Sequence, residues 1–147
     1  MNTVALRSCP CGSGRRYAAC CGELHAGARV ADTAESLMRS RYSAYVVGDL
    51  DYLRASWHPA TCPDSLEADV SPAWLALDIK RHVPQADAAT RAKVAAALPA
   101  LDADTPVSTV EFVARFRIGG GRVQRMTETS RFVREADRWL YVDGDVA

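Results

Sequence analysis

The sequence predicts an α+β fold: a small N-terminal cysteine knuckle, then helices laid over an antiparallel sheet. Three observations carry this. Four of the five cysteines, Cys9, Cys11, Cys20 and Cys21, crowd into thirteen positions. Residues 32–58 repeat their apolar side chains at helical spacing, and from Trp74 the dominant period is two, so helices precede strands instead of alternating with them. The 147 residues, 48% hydrophobic and 24% charged, suit one compact body with a small appendage. Eighteen Lys/Arg balance eighteen Asp/Glu, which removes the overall basic excess that would draw the chain onto nucleic acid or an anionic membrane.

The first element is the knuckle, residues 1–24. Pro10 fixes the backbone between the first two thiols, and Gly12 and Gly14 permit the turn that returns the chain towards Cys20 and Cys21. Four thiolates at about 2.3 Å would complete a tetrahedral zinc site with no open position, a structural site that cannot activate water. Arg7, Arg15 and Arg16 stand close enough in sequence to offset its negative charge. A segment this short buries too little apolar surface to fold alone, so metal binding here is folding. Disulfides or a redox pair are the alternative for the cysteines, and His25 could replace Cys21 as fourth ligand. The start of the chain shows no apolar run of signal-peptide length, and the expected compartment is the reducing cytoplasm, where clustered thiols favour metal.

Residues 25–31 are small and weakly patterned, an expected linker to a domain over 32–147. Asp32 or Thr33 can cap a first helix, with Met38, Tyr42, Tyr45 and Val46 on one face and Gly48 at its end. A second helix starts near Asp49, carries Leu50, Leu53 and Trp57 on one side, and is stopped by Pro59. Residues 60–72 are turn-rich. Leu75, Leu77 and Ile79 then alternate with polar neighbours along a strand that leaves His82 on the exposed phase. An Ala-rich segment from Asp87 to Leu98 can form a helix with a poor apolar face, part of an excursion over residues 84–106.

Val107–Ile118 alternates cleanly, with Val110, Phe112, Ala114, Phe116 and Ile118 on one side. Gly119–Gly121 turns the chain into a strand over 122–135, and Ala136-Asp137 turns it into another beginning at Arg138. Placing the three glycines in the loop pairs Ala114 with Met126, Phe112 with Glu128 and Val110 with Ser130; the two-residue turn pairs Phe132 with Tyr141 and Ser130 with Asp143. Glu128, Ser130 and Asp143 then share a face with Phe112 and Tyr141, where carboxylates need partners or a wet cavity. Arg39, Arg41 and His58 are the candidate partners. Glu128 is either the anchor or base of a ligand pocket, or one half of an internal ion pair. Cys62 follows His58 by four residues, but Pro59 breaks the helical spacing a nucleophile–base pair would need.

Charge divides the chain as well. Residues 1–30 carry a net +3, residues 31–114 a net −5 and residues 115–138 a net +4, a pattern that solvated strand faces explain without a polyanionic partner.

The run Cys9-Pro10-Cys11-Gly12-Ser13-Gly14-Arg15-Arg16-Tyr17-Ala18-Ala19-Cys20-Cys21-Gly22 resembles the SEC-C motif of the preprotein translocase ATPase and of smaller bacterial proteins. The resemblance implies zinc and a protein-binding role, since in the translocase the motif contacts a chaperone and ribosomes. Leu37 to Tyr45, Trp57 to Thr61, Val110 to Ala114, Ser130 to Phe132 and Trp139 to Gly144 resemble the YchJ family of bacterial proteins of unassigned activity. That implies a nuclear-transport-factor-2-like (cystatin-like) cone of helices over a curved antiparallel sheet enclosing a cavity. Such cones pair through the outer sheet face, which implies a homodimer as one option. The chain departs from the family pattern at Thr127, where His is usual before Glu128, at Cys62, where Arg is commoner, and in the length of 84–106. With a closed metal site and no visible catalytic constellation, a protein-binding module is expected first. A small-molecule or acid–base domain using the cone cavity is the alternative.

Overall fold

The computed structural model describes residues 7–66 and 72–147. After a 3-10 turn at Tyr17–Ala19 come helices α1 (Cys21–His25), α2 (Ala34–Val47) and α3 (Leu50–Ala55), strand β1 (Ala73–Val83), helix α4 (Ala88–Ala97), and strands β2 (Val107–Arg117), β3 (Gln124–Glu135) and β4 (Arg138–Val146). The helices start where side chains cap them: Thr33, Asp49 and Asp87 each accept from the backbone N–H three residues on. Gly48, with φ +79°, closes α2 in the left-handed conformation that an L side chain resists.

The four strands form one antiparallel sheet in the order β1-β2-β3-β4. The β2–β3 register is the expected one, with Val110 opposite Ser130, Phe112 opposite Glu128 and Ala114 opposite Met126. Ala136 and Asp137, both at positive φ, make the tight β3–β4 turn and set Phe132 against Tyr141. The inner face of the sheet packs Val110, Phe112 and Phe132 against Leu37, Met38 and Tyr42 of α2.

Several expectations are corrected. Tyr45 and Val46 are partly exposed, and the buried side of α2 includes Ser40, Arg41 and Ser43 instead. Helix α3 stops at Ala55; Trp57 bridges to Tyr141 as extended backbone, and the His58 N–H donates to the Tyr141 carbonyl at 2.8 Å. Strand β1 has two irregularities, between Trp74 and Ala76 and between Ile79 and Arg81. The first turns Trp74 inward and leaves Leu75 exposed; the second brings His82 opposite Val110, half-buried and 4.0 Å from Glu35. Ile118 lies beyond the end of β2 and is exposed.

The excursion over 84–106 acquires a role. Helix α4 lays Val94, with Leu98 behind it, on Val107, Val133, Leu140 and Val142 of the outer sheet face, a second apolar core.

Candidate metal centre and inner-face cavity

The knuckle is a short ribbon. Ser8 bridges Arg16, the Cys9 N–H donates to the Arg15 carbonyl at 2.7 Å, and the Tyr17 N–H to the Arg7 carbonyl at 2.8 Å. Gly22 follows Cys21 because no larger residue fits: a Cβ there would stand 2.6 Å from the Tyr17 carbonyl oxygen. The ribbon delivers Cys9, Cys11, Cys20 and Cys21 to one point, all buried, with their four Sγ atoms within 4.8 Å of one another. The Cys11–Cys20 separation of 3.7 Å matches the edge, about 3.8 Å, of a tetrahedron with 2.3 Å metal–sulfur bonds. An all-sulfur tetrahedral set can hold a metal ion and suits zinc by its softness. Hydrogen bonds within the cluster hold the Cys9 thiol far below its ordinary value through Cys11 and Cys21, and push Cys21 far above it through Cys11 and Cys9. Four thiols this close cannot all ionise without a cation among them.

Of residues 25–31, the expected linker, Ala26, Gly27, Ala28 and Val30 are exposed, while the two ends, His25 and Ala31, touch the body. His25 meets the Tyr17 hydroxyl through Nδ1 at 2.5 Å and the Ser40 carbonyl through Nε2 at 2.8 Å, which spends both ring nitrogens away from the thiols. Leu24 and Ala31 join the inner core. Helix α2 completes the attachment: Arg39 donates to the Cys11 carbonyl at 2.7 Å and to Glu35 at 3.1 Å, and the Ser43 hydroxyl lies 3.5 Å from Cys9 Sγ. Ser13 and Arg15 reach Cys20 Sγ at 3.2 and 3.7 Å.

The inner face of the sheet encloses a separate cavity of about 270 Å³ beneath α2. Of the eight candidate cavity residues it brings together Glu128, Ser130, Arg41, Phe112 and Tyr141. Arg39 belongs to the knuckle contact just described. His58 turns to Glu135 at 3.1 Å, and its Nδ1 accepts the Ala60 N–H, leaving Nε2 as the donor. Asp143 is on the opposite face, because an extra residue in β4 pairs it with Arg131 and places Gly144, not Asp143, against Ser130. There the buried Arg131 guanidinium grips Asp143 at 2.6 Å and Asp145 at 2.7 Å. Cys62 accepts from Arg54 at 3.7 Å, and among the described residues its thiol makes no hydrogen bond to the His58 ring.

Inside the cavity, Glu128 accepts from the Ser130 hydroxyl at 2.5 Å and from the Tyr141 hydroxyl at 3.2 Å, and makes no ion pair among the described residues. Gly144 makes room for it, since a Cβ there would collide with the carboxylate. Burial first, then the neighbouring Glu128, pushes the Tyr141 phenol far above its ordinary value, so it stays a donor. Arg41, 2% exposed, donates through Nη1 to the Leu53 carbonyl at 2.9 Å and the Ser56 hydroxyl at 2.7 Å. Its guanidinium carbon lies 4.5 Å from the Tyr141 ring centre and 4.9 Å from that of Trp57. The alternation Arg39, Arg41 thus splits between knuckle and cavity, and sequence reasoning missed that. Two further lining residues, Trp57 and Trp74, each bury an indole N–H with no acceptor. Sequence reasoning placed Trp57 on the apolar side of the second helix and gave Trp74 no role beyond the start of a strand, because burial of an N–H leaves no periodic signal. Thr127, where the family pattern favours His, faces outward opposite Val113.

Comparison with known proteins mirrors this division. Residues 8–23 match the SEC-C motif and residues 33–144 match the family described as YchJ, middle NTF2-like domain. A UPF0225 protein of Ralstonia nicotianae is 49% identical over 151 residues, covering 95% of this chain and 91% of that one. A UPF0225 protein of Bordetella pertussis is 48% identical, covering 99% and 97%. Among solved structures, a SEC-C motif containing protein from Rhodopseudomonas palustris superposes with a TM-score of 0.71 at 34% identity, over 93% of this chain and 96% of that chain. A SEC-C motif containing protein from Psychrobacter arcticus gives the same TM-score at 26% identity, over 99% and 86%.

Proposed function

Since this chain belongs to the YchJ family, with a SEC-C motif ahead of an NTF2-like domain, we propose that it is a zinc-dependent protein-binding module of the cytoplasm. One observation carries the reading: the knuckle has two sides with different jobs. Its inner side is fixed to α2 through Arg39 and Ser43, while Arg7, Gly12, Gly14, Arg15 and Arg16 remain exposed on its rim. A closed four-thiolate site does no chemistry of its own; what it supplies is a rigid, basic edge of backbone and guanidinium groups that an acidic partner segment can meet without ordering cost. The SEC-C motif points to chaperone, secretion or ribosome-associated partners.

No helix among the described residues is long and apolar enough to cross a membrane. The decisive comparison is between the wild type and an Arg7→Glu/Arg16→Glu variant, which leaves the thiols and the Arg15 contact intact. Both should retain about one zinc per chain, and only the wild type should co-sediment with ribosomes or be retained by an immobilised export chaperone at low salt. Equal behaviour of the two proteins overturns the rim as the binding surface.

A second reading, a small-molecule site in the cone cavity, is favoured by Arg41 and Glu128, which line one cavity without pairing with each other.

A further inference from the structure

We propose that the inner-face cavity binds a flat, neutral ring whose edge carries an amide-type pair, a carbonyl beside an N–H. This occupant rests on the reading of the cavity as a small-molecule site and adds the chemistry of the guest to it.

The charges argue first. Arg41 and Glu128 both line the cavity. They are opposite in sign yet not in contact, since neither belongs to an ion pair among the described residues: Arg41 is spent on a carbonyl and a serine hydroxyl, and Glu128 on two hydroxyls. A buried cation and a half-buried carboxylate facing one space leave it with no net charge, which disfavours an ionic guest. Each is still able to make a charge-assisted hydrogen bond, the guanidinium to an acceptor and the carboxylate to a donor. A lactam edge offers both at adjacent atoms. A lone carboxylate would satisfy Arg41 and be repelled by Glu128; a lone ammonium would do the reverse.

The walls argue second. Trp57, Trp74, Tyr42, Tyr45, Phe112 and Tyr141 present aromatic surface, and Met38 and Met126 add soft thioethers. Such walls favour a planar guest over a branched aliphatic one. The volume, about 270 Å³, lies just under the range of roughly 300–1,000 Å³ usual for ligand sites, so the guest is small, of one or two fused rings.

The test uses the full-length, zinc-loaded protein and four defined probes, read by saturation-transfer NMR and tryptophan fluorescence. Quinolin-2(1H)-one carries the amide edge, 1-methylquinolin-2-one lacks its N–H, naphthalene keeps the shape with no polar atoms, and benzoate supplies a lone anion. Quinolinone should bind at least tenfold tighter than each of the other three. The Glu128→Gln variant, checked for an unchanged melting curve, should weaken quinolinone about tenfold and leave naphthalene unaltered. Because the methylated probe removes the Glu128 contact from the ligand side, the result does not depend on a variant that folds. Binding of naphthalene or benzoate at least as tight as that of quinolinone overturns the amide-edge inference while sustaining a small-molecule cavity. Saturation transfer to none of the four at millimolar concentration overturns both.

Discussion

The knuckle and the cavity are both small clusters of polar atoms held away from water, and they differ in how far those atoms satisfy one another. In the knuckle every group points inward to a shared centre: four thiols within 4.8 Å, with Ser13, Arg15 and Ser43 hydrogen-bonding the sulfurs. In the cavity the satisfaction is partial, with Glu128 held by two hydroxyls and Arg41 by one of its nitrogens, while two indole N–H groups lie within its walls with no acceptor. A closed cluster fixes structure, because any change inside it leaves a charge or a thiolate unmatched. An open one has capacity left over, and capacity in a buried place is what a ligand uses. The same helix serves both, since α2 sends Arg39 and Ser43 to the knuckle and Arg41 and Tyr42 to the cavity.

The largest expected effect tests whether the closed cluster also holds the body. Structural zinc in small domains contributes on the order of 10 kcal/mol to folding, and the knuckle here is joined to α2 and to the inner core through Leu24. Cys11→Ser, or chelation of the metal, should therefore lower the melting temperature of the sheet together with that of the knuckle. Elemental analysis and a far-UV circular dichroism melt on the same sample decide this. Zinc lost with the melt unchanged would mean that the two regions are independent.

Next come two glycines, one from each region. A Cβ at Gly22 meets the backbone carbonyl of Tyr17, whereas one at Gly144 meets the carboxylate end of Glu128. Backbone cannot yield and a carboxylate end can, so Gly22→Ala should cost about 3 kcal/mol and Gly144→Ala about 1 kcal/mol, read as shifts in the urea midpoint. The reverse order would show that the cavity is the more tightly determined of the two.

The smallest effect is on the outer face, outside both clusters. The Arg131 guanidinium holds the Asp145 carboxyl below its ordinary value of 3.8. A carboxyl depressed in the folded state contributes stability that is present above that ordinary value and is lost as pH falls through the folded one. Arg131→Met should thus be less stable than the wild type at pH 7, with the gap narrowing once the pH drops below about 4. A gap that stays constant between pH 7 and pH 3 would refute the linkage.

How much of this was legible beforehand depended on distance along the chain. The thiol set lies within thirteen residues and its turn residues are local, so spacing identified it. The β2–β3 register came from three consecutive glycines and a clean alternation, and it located Glu128, Ser130 and Phe112 on the inner face. Asp143 was assigned to that face by the same counting, and the extra residue in β4 moved it to the other one. That irregularity lets Asp143 meet Arg131 while Tyr141 keeps its place against Phe132, a compromise between neighbours that no single strand encodes. Leu75 and His82 changed sides for the same reason in β1. The segment 25–31 reads as a spacer because its residues are small; Ala26, Gly27, Ala28 and Val30 are exposed, and only its two ends, His25 and Ala31, meet the body.

The sequence by itself determined the cluster of four cysteines, the capped helix starts at Asp32 or Thr33, near Asp49 and near Asp87, and the order of helices before an antiparallel meander. Each of these rests on interactions between residues a few positions apart, whose energies are decided before the chain closes on itself. Only the tertiary structure decided which arginine of α2 faces which cluster, that residues 84–106 cover the outer sheet face, that the knuckle is docked to the body, and that two indole N–H groups are buried with nothing to receive them. Those outcomes are set by the sum of packing and hydrogen bonding among elements far apart in the chain, where burial is shared by all the contacting elements and is not a property of any one segment.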